Sequence, residues 1–233
     1  TGTELPDNFV LTKEFSDVYN LINDTNINLF ITGKAGSGKS TLLEYFRQNT
    51  NKNFVTLAFQ GITAIKAKGQ TLHSFFKFGP HFLAKEEIKL LKDKSLIQSL
   101  DTILIDEISM VRADLFDAID LSLKKNRKNN KPFGGVQMIV FGDIMQIDPI
   151  VGSSDEEMME KFYPKGRFFF NSNIYEKEKL KQIELTKIFR QSDKKFINLL
   201  NKIRMNKIED EELEILNKRI VQPKDIQEGT IIL

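Results

Sequence analysis

The chain has 233 residues, 28% of them charged, and a formal net charge of +2. A balance so close to neutral gives no bulk argument for nucleic-acid binding, so any such argument has to come from particular residues. The absence of cysteine excludes a disulfide framework and cysteine-based metal sites, and favours a cytosolic protein. No charge-free apolar run approaches the ~18 residues of a membrane span, residues 1–9 do not resemble a signal peptide, and the length allows one sizeable core.

Apolar residues along the chain alternate between helical spacing and short buried runs typical of strands. The predicted elements, in order, are a helix over 13–23, a strand over 29–32, a helix ending near 48, strands over 54–59 and 102–106, a helix over 110–125, strands over 137–141 and 182–185, and helices around 196–203 and 213–220. Strands that alternate with helices predict an α/β fold with a mostly parallel central sheet flanked by helices. We expect a small helical excursion over 77–99 and the start of a further strand at 229–233.

One segment fits the phosphate-binding loop pattern G-x-x-x-x-G-K-[ST] in full: Gly33-Lys34-Ala35-Gly36-Ser37-Gly38-Lys39-Ser40, followed by Thr41. Its glycines allow backbone N–H groups to cradle phosphate oxygens, and the helix that begins here directs its positive end at the same anion. Lys39 suits the β- and γ-phosphates, and the Ser40 hydroxyl suits Mg²⁺. A strand before the segment and a helix after it favour this interpretation over a glycine-rich turn with a surface lysine.

Two acids, Asp106 and Glu107, follow the strand predicted over 102–106. A phosphate-loop enzyme needs an acid at the end of a neighbouring strand to hold Mg²⁺, a role that Asp106 fits. Glu107 is then placed to orient or deprotonate an attacking water. Adjacent acids also occur as plain solvated loop ends, but the phosphate loop upstream favours the catalytic role.

Two further polar residues are candidates for the same site. Gln146 follows the strand predicted over 137–141, at the carboxyl edge where open α/β sheets bind ligands. A glutamine there can sense the γ-phosphate or the attacking water, and Arg190 could do so with a full charge. A lone arginine before an amphipathic helix is more often a surface ion pair, so residue type alone does not assign Arg190.

Five blocks of sequence together resemble the petite-integration-frequency (PIF) family of superfamily 1 DNA helicases, which is related to RecD. The resemblance extends over roughly residues 27–205, and the order and spacing of the blocks match the family. The blocks are Gly33–Thr41, residues 61–64 with 69–76, residues 105–111, residues 134–137 through 142–146, and residues 189–191.

The resemblance implies a RecA-like phosphate-loop NTPase domain, the first of two in a motor that uses ATP and Mg²⁺ to move 5′ to 3′ on single-stranded DNA. It implies that Lys39 and Ser40 hold phosphate and Mg²⁺, that Asp106 holds Mg²⁺, and that Glu107 is the catalytic base. Gln146 and Arg190 would contact the γ-phosphate side. DNA contacts are implied for Gln60, Gly61, His73, Ser74, Phe75 and Phe76.

The DNA assignment also has a physical basis, because sequence-independent binding of single strands combines phosphate contacts with aromatic platforms. Within segment 60–76, Gly61, His73 and Ser74 would lie near phosphates, and Phe75 or Phe76 near bases. The alternative, that these phenylalanines are core residues, stays open at this point.

The family resemblance also implies a domain organisation. We expect a helical lead-in over 1–26, the motor domain over 27–222 with an insertion at about 77–99, and a linker with the start of a second RecA-like domain over 223–233. The expected partners are single-stranded DNA and that second domain. A cytoplasmic, nucleoid-associated bacterial monomer without a membrane partner is expected, with family roles in DNA repair, recombination and telomere maintenance.

The chain departs from the family pattern at three places. Phe15 stands where the family commonly has the glutamine that reads adenine, Phe59-Gln60 replaces Pro-Thr, and Ile147-Asp148-Pro149 replaces Leu-Pro-Pro. Two other classes of function therefore remain as alternatives, a phosphate-loop phosphotransferase and a nucleotide-gated binding module with little hydrolysis. The first does not explain segment 60–76, and an intact Glu107 argues against the second.

Overall fold

The computed structural model describes residues 5, 9–34, 36–187 and 194–218. The chain divides into two compact units, Thr1–Arg190 and Gln191–Leu233. In the part of the chain that is described, no helix is both long and apolar enough to cross a membrane. The predicted linker over 223–233 and the predicted strand at 229–233 lie outside the described residues, and the domain limits derived from the sequence remain a prediction.

A single parallel sheet organises the first unit. Its strands are β1 (Leu29–Gly33), β2 (Phe54–Ala58), β3 (Gln70–Thr71), β4 (Thr102–Asp106), β5 (Gln137–Phe141) and β6 (Lys181–Leu185). They lie in the order β3-β2-β4-β5-β1-β6, and every neighbouring pair is parallel. The predicted α/β fold with a parallel sheet is confirmed. Strand β3 was missed because two residues show no periodicity.

Helices flank the sheet and connect its strands. In the first unit they are α1 (Lys13–Asp24), α2 (Lys39–Asn49), α3 (Gly61–Lys66), α4 (Leu72–Phe76), α5 (Ser95–Ser99), α6 (Ala113–Arg127), α7 (Glu156–Phe162) and α8 (Asn173–Glu178). The second unit contains α9 (Lys194–Arg204) and α10 (Asp210–Asn217). The predicted helix over 110–125 begins later, at Ala113, because Ile108–Met110 forms a 3₁₀ turn and Arg112 is extended in a bridge to Phe168. Helices α7 and α8 were not predicted, since each is only one to two turns long.

Two hydrophobic clusters cover the two faces of the sheet. Alternation along the strands separates them: Leu29 and Ile31 of β1 belong to one cluster, and Phe30 belongs to the other. The first face packs against the buried sides of α1 and α2, and the second packs against α4 and α6. The result is a three-layer α/β/α arrangement in which buried strands carry continuous apolar runs, as parallel sheets require.

The segment 77–99 is largely irregular rather than the predicted helical excursion. It contains a 3₁₀ turn at Lys85–Glu87 and the short helix α5. Its apolar residues Leu83 and Ile88 are buried in the second cluster. Arg127, at the end of α6, donates hydrogen bonds to the carbonyls of residues 98 and 100, both at 3.1 Å, and ties the segment to the sheet.

Candidate nucleotide and nucleic-acid site

The predicted phosphate loop connects β1 to the first turn of α2. Gly36 and Gly38 have φ angles of 81° and 88°, which side-chain-bearing residues rarely adopt. At Gly33 the requirement is steric, since a Cβ atom there would lie 2.5 Å from Ser37 Oγ and 2.8 Å from the carbonyl oxygen of Leu185. The glycines of the pattern are therefore needed for the shape of the loop. Ala35 lies outside the described residues.

Lys39 lies over this loop. Its Nζ donates hydrogen bonds to the carbonyl oxygens of Gly33 at 2.5 Å and Lys34 at 3.3 Å. Ser37 Oγ is buried and has no hydrogen-bond partner, whereas Ser40 is exposed at the start of α2. The loop thus holds a positive charge at a helix N-terminus, an arrangement that suits an anion.

The two acids at the end of β4 carry charge that the protein compensates incompletely. Burial, and then the charge of Glu107, raise the pKa of Asp106 to about 6, although the Glu107 N–H and Lys39 act in the opposite direction. The Glu107 N–H donates to Asp106 Oδ1 at 3.0 Å. A buried carboxyl group whose ionisation is disfavoured in this way is suited to a bound cation.

Glu107 has a left-handed backbone conformation, with φ 53° and ψ 50°. Such a conformation costs a residue other than glycine of order 1 kcal/mol or more, and strain of this kind is concentrated at functional sites. It turns the chain sharply from β4 into the 3₁₀ turn that follows. Glu107 and Asp106 are thereby held at the carboxyl edge of the sheet.

The residues after β5 approach this turn closely. A Cβ atom on Gly142 would lie 2.9 Å from Ile108 Cγ2, so the glycine allows the two segments to meet. Asp143 is fully buried and accepts hydrogen bonds from the Met145 N–H at 3.1 Å and from Gln146 Nε2 at 3.3 Å. We assigned no role to Asp143 from the sequence, although its position three residues before Gln146 was a usable signal.

Strand order brings the predicted site residues to one edge. The phosphate loop follows β1, Gln146 follows β5, and Asp106 ends β4, and these three strands are consecutive in the sheet. Asp106 is also in register with Ala58 of β2, so the carboxylate lies beside the start of the predicted DNA segment. Arg190 lies outside the described residues, and its role stays a prediction.

A bound metal ion at this edge would have few protein ligands. Among the described residues, no group of three His, Cys, Asp or Glu side chains is arranged to hold a metal ion. Mg²⁺ fits, because it is commonly bound by one or two protein oxygens together with waters and phosphates. Ser40 and Asp106 remain the ligands predicted from the sequence.

The predicted DNA segment divides into exposed and buried residues. Gln60, Gly61 and Ser74 are exposed, and His73 is half-buried. Phe75 and Phe76 are only 8% and 2% exposed and belong to the core, so neither ring offers a face to a base. Their burial supports the core alternative.

Other aromatic groups lie closer to the surface of this segment. The ring of half-buried Phe59 meets the His73 ring edge to face, with 5.5 Å between centroids. Burial, and then the charge of Arg112, lower the pKa of His73. His73 is therefore neutral at pH 7, and it contributes a hydrogen-bonding ring rather than a positive charge.

Phe15 is fully buried between α1 and the sheet, and its ring lies 6.3 Å from that of Phe9. Its side chain therefore packs in the core and offers no polar group to a nucleobase. Thr12, at the start of α1, accepts a hydrogen bond from the Phe15 N–H at 3.2 Å. The Thr12 side chain thus caps the first turn of this helix.

The fold and the phosphate loop together define a RecA-like phosphate-loop NTPase domain. The sequence profile of the PIF1-like helicases matches residues 10–214, and the chain belongs to this family. It is 34% identical over 209 residues to the ATP-dependent DNA helicase RRM3 of Saccharomyces cerevisiae, covering 85% of this chain and 28% of that protein. It is also 34% identical over 189 residues to human ATP-dependent DNA helicase PIF1, covering 79% of this chain and 28% of that protein.

Solved structures of relatives have the same fold. A Bacteroides Pif1 bound to single-stranded DNA matches with a TM-score of 0.83 and 39% identity over 91% of this chain and 50% of that one. A Bacteroides Pif1 with ADP-AlF3 and single-stranded DNA matches with a TM-score of 0.82 and 40% identity, over 92% of this chain and 51% of that one. This chain therefore spans about half the length of the solved relatives and 28% of the two named helicases.

Proposed function

We propose that this chain is the first motor domain of an ATP-dependent helicase that moves 5′ to 3′ along single-stranded DNA. The observation that carries the proposal is the order of the strands. The strands that precede the phosphate loop, Gln146 and segment 60–76 lie in one parallel sheet with β4, which ends at Asp106. A nucleotide and a DNA strand bound there would share the turns that follow β2, β4 and β5.

ATP is the proposed nucleotide, bound through the loop between β1 and α2. Lys39 would exchange its bonds with the carbonyls of Gly33 and Lys34 for bonds with the β- and γ-phosphates. Ser40 and Asp106 would hold Mg²⁺, which supplies positive charge for the phosphoryl oxygens as the bond breaks. A bound cation would also favour the ionised form of Asp106, whose pKa is raised by burial and then by the charge of Glu107.

Glu107 is the proposed base for hydrolysis. Its carboxylate would orient the attacking water and take up its proton. General-base catalysis of this kind raises the rate roughly 10²–10⁴-fold. Gln146, held by Asp143, would contact the same water or the γ-phosphate. Arg190 is proposed to add a full positive charge on that side.

We propose that the motor is completed by a second RecA-like domain of the same protein. The support is length, because the solved Pif1 chains are about twice as long as the part that this chain matches. An arginine supplied across the cleft between two such domains contributes roughly 10³-fold or more to hydrolysis. We therefore expect residues 1–233 alone to bind nucleotide, to hydrolyse it slowly and not to unwind DNA.

DNA contact is proposed at the surface of segment 60–76. Gln60, Gly61 and Ser74 are exposed there, and His73 offers a neutral ring nitrogen. The proposed working unit is a monomer. One solved relative is described as two coordinating Pif1 helicases at forked double-stranded DNA, so the mass of the DNA complex in solution is the measurement that decides this.

The proposal is tested by ATP hydrolysis in the full-length protein, with and without a single-stranded oligonucleotide. We expect strong stimulation by DNA that is lost in Lys39→Ala, while circular dichroism shows an unchanged fold. Translocation of labelled strands with a streptavidin block at either end then tests the 5′-to-3′ direction. Hydrolysis that is indifferent to DNA would refute the motor and favour a phosphotransferase or a nucleotide-gated module.

A further inference from the structure

A pocket of about 440 Å³ lies beside the predicted DNA segment. It is formed where the turns after β2, β4 and β5 meet, and its walls include Phe59, His73, Pro80 and Ile150. Pockets of roughly 300–1,000 Å³ hold small ligands, so the volume is sufficient for one flat ring and its surroundings. The pocket is distinct from the phosphate loop, which follows β1 on the other side of β5.

Two aromatic rings form one side of the pocket, whose lining also includes His81, Arg112 and Asp155. The two rings, Phe59 and His73, meet edge to face with an interplanar angle of 73°. Because burial lowers the pKa of His73, its imidazole is neutral at pH 7. Ile150, from the loop after β5, is 64% exposed and borders the pocket as an apolar group.

The floor of the pocket is a buried ion-pair cluster. Arg112 donates from Nε and Nη2 to Asp114, at 2.9 and 2.8 Å, and from Nη1 to Asp155 at 3.2 Å. All three residues are buried. Of these three residues, Arg112 and Asp155 line the pocket, so the charges that this cluster presents to it compensate each other.

The bonds that Arg112 already makes decide which part of a DNA strand fits. Its guanidinium donates to Asp114, Asp155 and the His81 carbonyl, so it is not available to bind a phosphate group. A nucleobase is neutral, flat and able to pack against rings, which is how proteins bind single strands without regard to sequence. The pocket chemistry therefore favours a base and disfavours the backbone.

We propose that this pocket receives one unstacked base of the single-stranded DNA, while the adjoining phosphates pass outside it along the exposed residues Gln60 and Ser74. The inference rests on the proposed function and adds a defined base subsite to it. Asp155 and Ile150 belong to the loop that follows Gln146, so the base would rest against the same loop that reaches the nucleotide.

The test is a walk of a single abasic site along the shortest oligothymidylate that binds the full-length protein with full affinity, read by fluorescence anisotropy. We expect one position at which removing the base weakens binding at least about fivefold, the lower end of base–aromatic contacts. The variant Ile150→Trp fills the pocket, so the affinity should no longer depend on the position of the abasic site. Ile147→Trp is the matched control, since Ile147 is 58% exposed on the same loop but does not line the pocket, and it should keep the sensitive position.

Three other outcomes would contradict the base subsite, and the last of them would also contradict the proposed function. A flat walk in a wild-type protein that binds the intact oligonucleotide would overturn the base subsite and leave the proposed motor standing. A sensitive position that persists in Ile150→Trp would place the base elsewhere and overturn the subsite as well. No binding of the intact oligonucleotide would refute the proposed function itself, and the subsite with it.

Discussion

Gly33→Ala should disable nucleotide binding while leaving the fold intact. The added Cβ would lie 2.5 Å from Ser37 Oγ and 2.8 Å from the Leu185 carbonyl oxygen. Ser37 can rotate, but Leu185 is in β6, whose ladder pairs it with Gly33 itself. The backbone contact therefore has to be relieved by moving the phosphate loop.

Overpacking of this kind costs about 1–3 kcal/mol. If that cost falls on the binding-competent form of the loop, affinity for Mg-ATP falls roughly 5- to 150-fold. The assay is equilibrium binding of a fluorescent ATP analogue without DNA, beside thermal unfolding of the same samples. Gly152→Ala is the control, because the nearest atom to a Cβ there lies 3.8 Å away.

Two results would refute this reasoning. Wild-type affinity in Gly33→Ala would mean that the loop tolerates the side chain and that the observed contacts do not constrain it. An equal loss of affinity in Gly152→Ala would mean that the effect is not specific to the phosphate loop. The double variant Gly33→Ala/Ser37→Gly should recover only part of the affinity, since the contact with the Leu185 carbonyl remains.

Three further predictions concern the proposed catalytic base, the buried ion pairs and the histidine. Glu107→Gln should lower DNA-stimulated ATP hydrolysis by roughly 10²–10⁴-fold, measured at steady state, while equilibrium binding shows an unchanged nucleotide affinity. Unchanged turnover would mean that Glu107 is not the catalytic base. Arg112→Met should lower the free energy of unfolding in urea by about 3–5 kcal/mol, because Asp114 and Asp155 are left buried without their cation; a loss below about 1 kcal/mol would contradict this. Since burial lowers the pKa of His73, its imidazole becomes charged only at a pH below that at which a histidine ordinarily titrates. Affinity for single-stranded DNA should therefore depend on pH identically in wild type and His73→Gln between pH 8 and 7, and a steeper wild-type rise on acidification would show a charged histidine.

The parts of the site that could be predicted from the sequence are those formed by residues that are close together in the chain. Gly33–Ser40 is a local pattern, and its loop geometry follows from glycines at positions where φ is positive. Asp106 and Gln146 could be placed because parallel strands end at a common edge, so the residue after each strand faces the same ligand region. Strand order is not local, and only the structure put β5 between β1 and β4.

Aromatic residues show where sequence alone is insufficient. Phe75 and Phe76 lie in a segment that resembles a DNA contact, yet α4 turns both rings into the core. Phe59 stood out in the sequence only as a departure from the family pattern, but the fold brings its ring against that of His73. In a helix of only five residues, the spacing of apolar residues does not show whether a phenylalanine faces the core or the solvent.

By itself, the sequence determined the α/β class, the phosphate loop and the identity of the acids, because each depends on contacts within a few residues or on the period of one element. The tertiary structure alone decided which loops meet. Arg112 and Asp155 are 43 residues apart, and their ion pair forms only because the turns after β4 and β5 adjoin at the sheet edge. Such pairings depend on the packing of distant elements, and burial then sets the charge and the pKa of the groups that line the pocket.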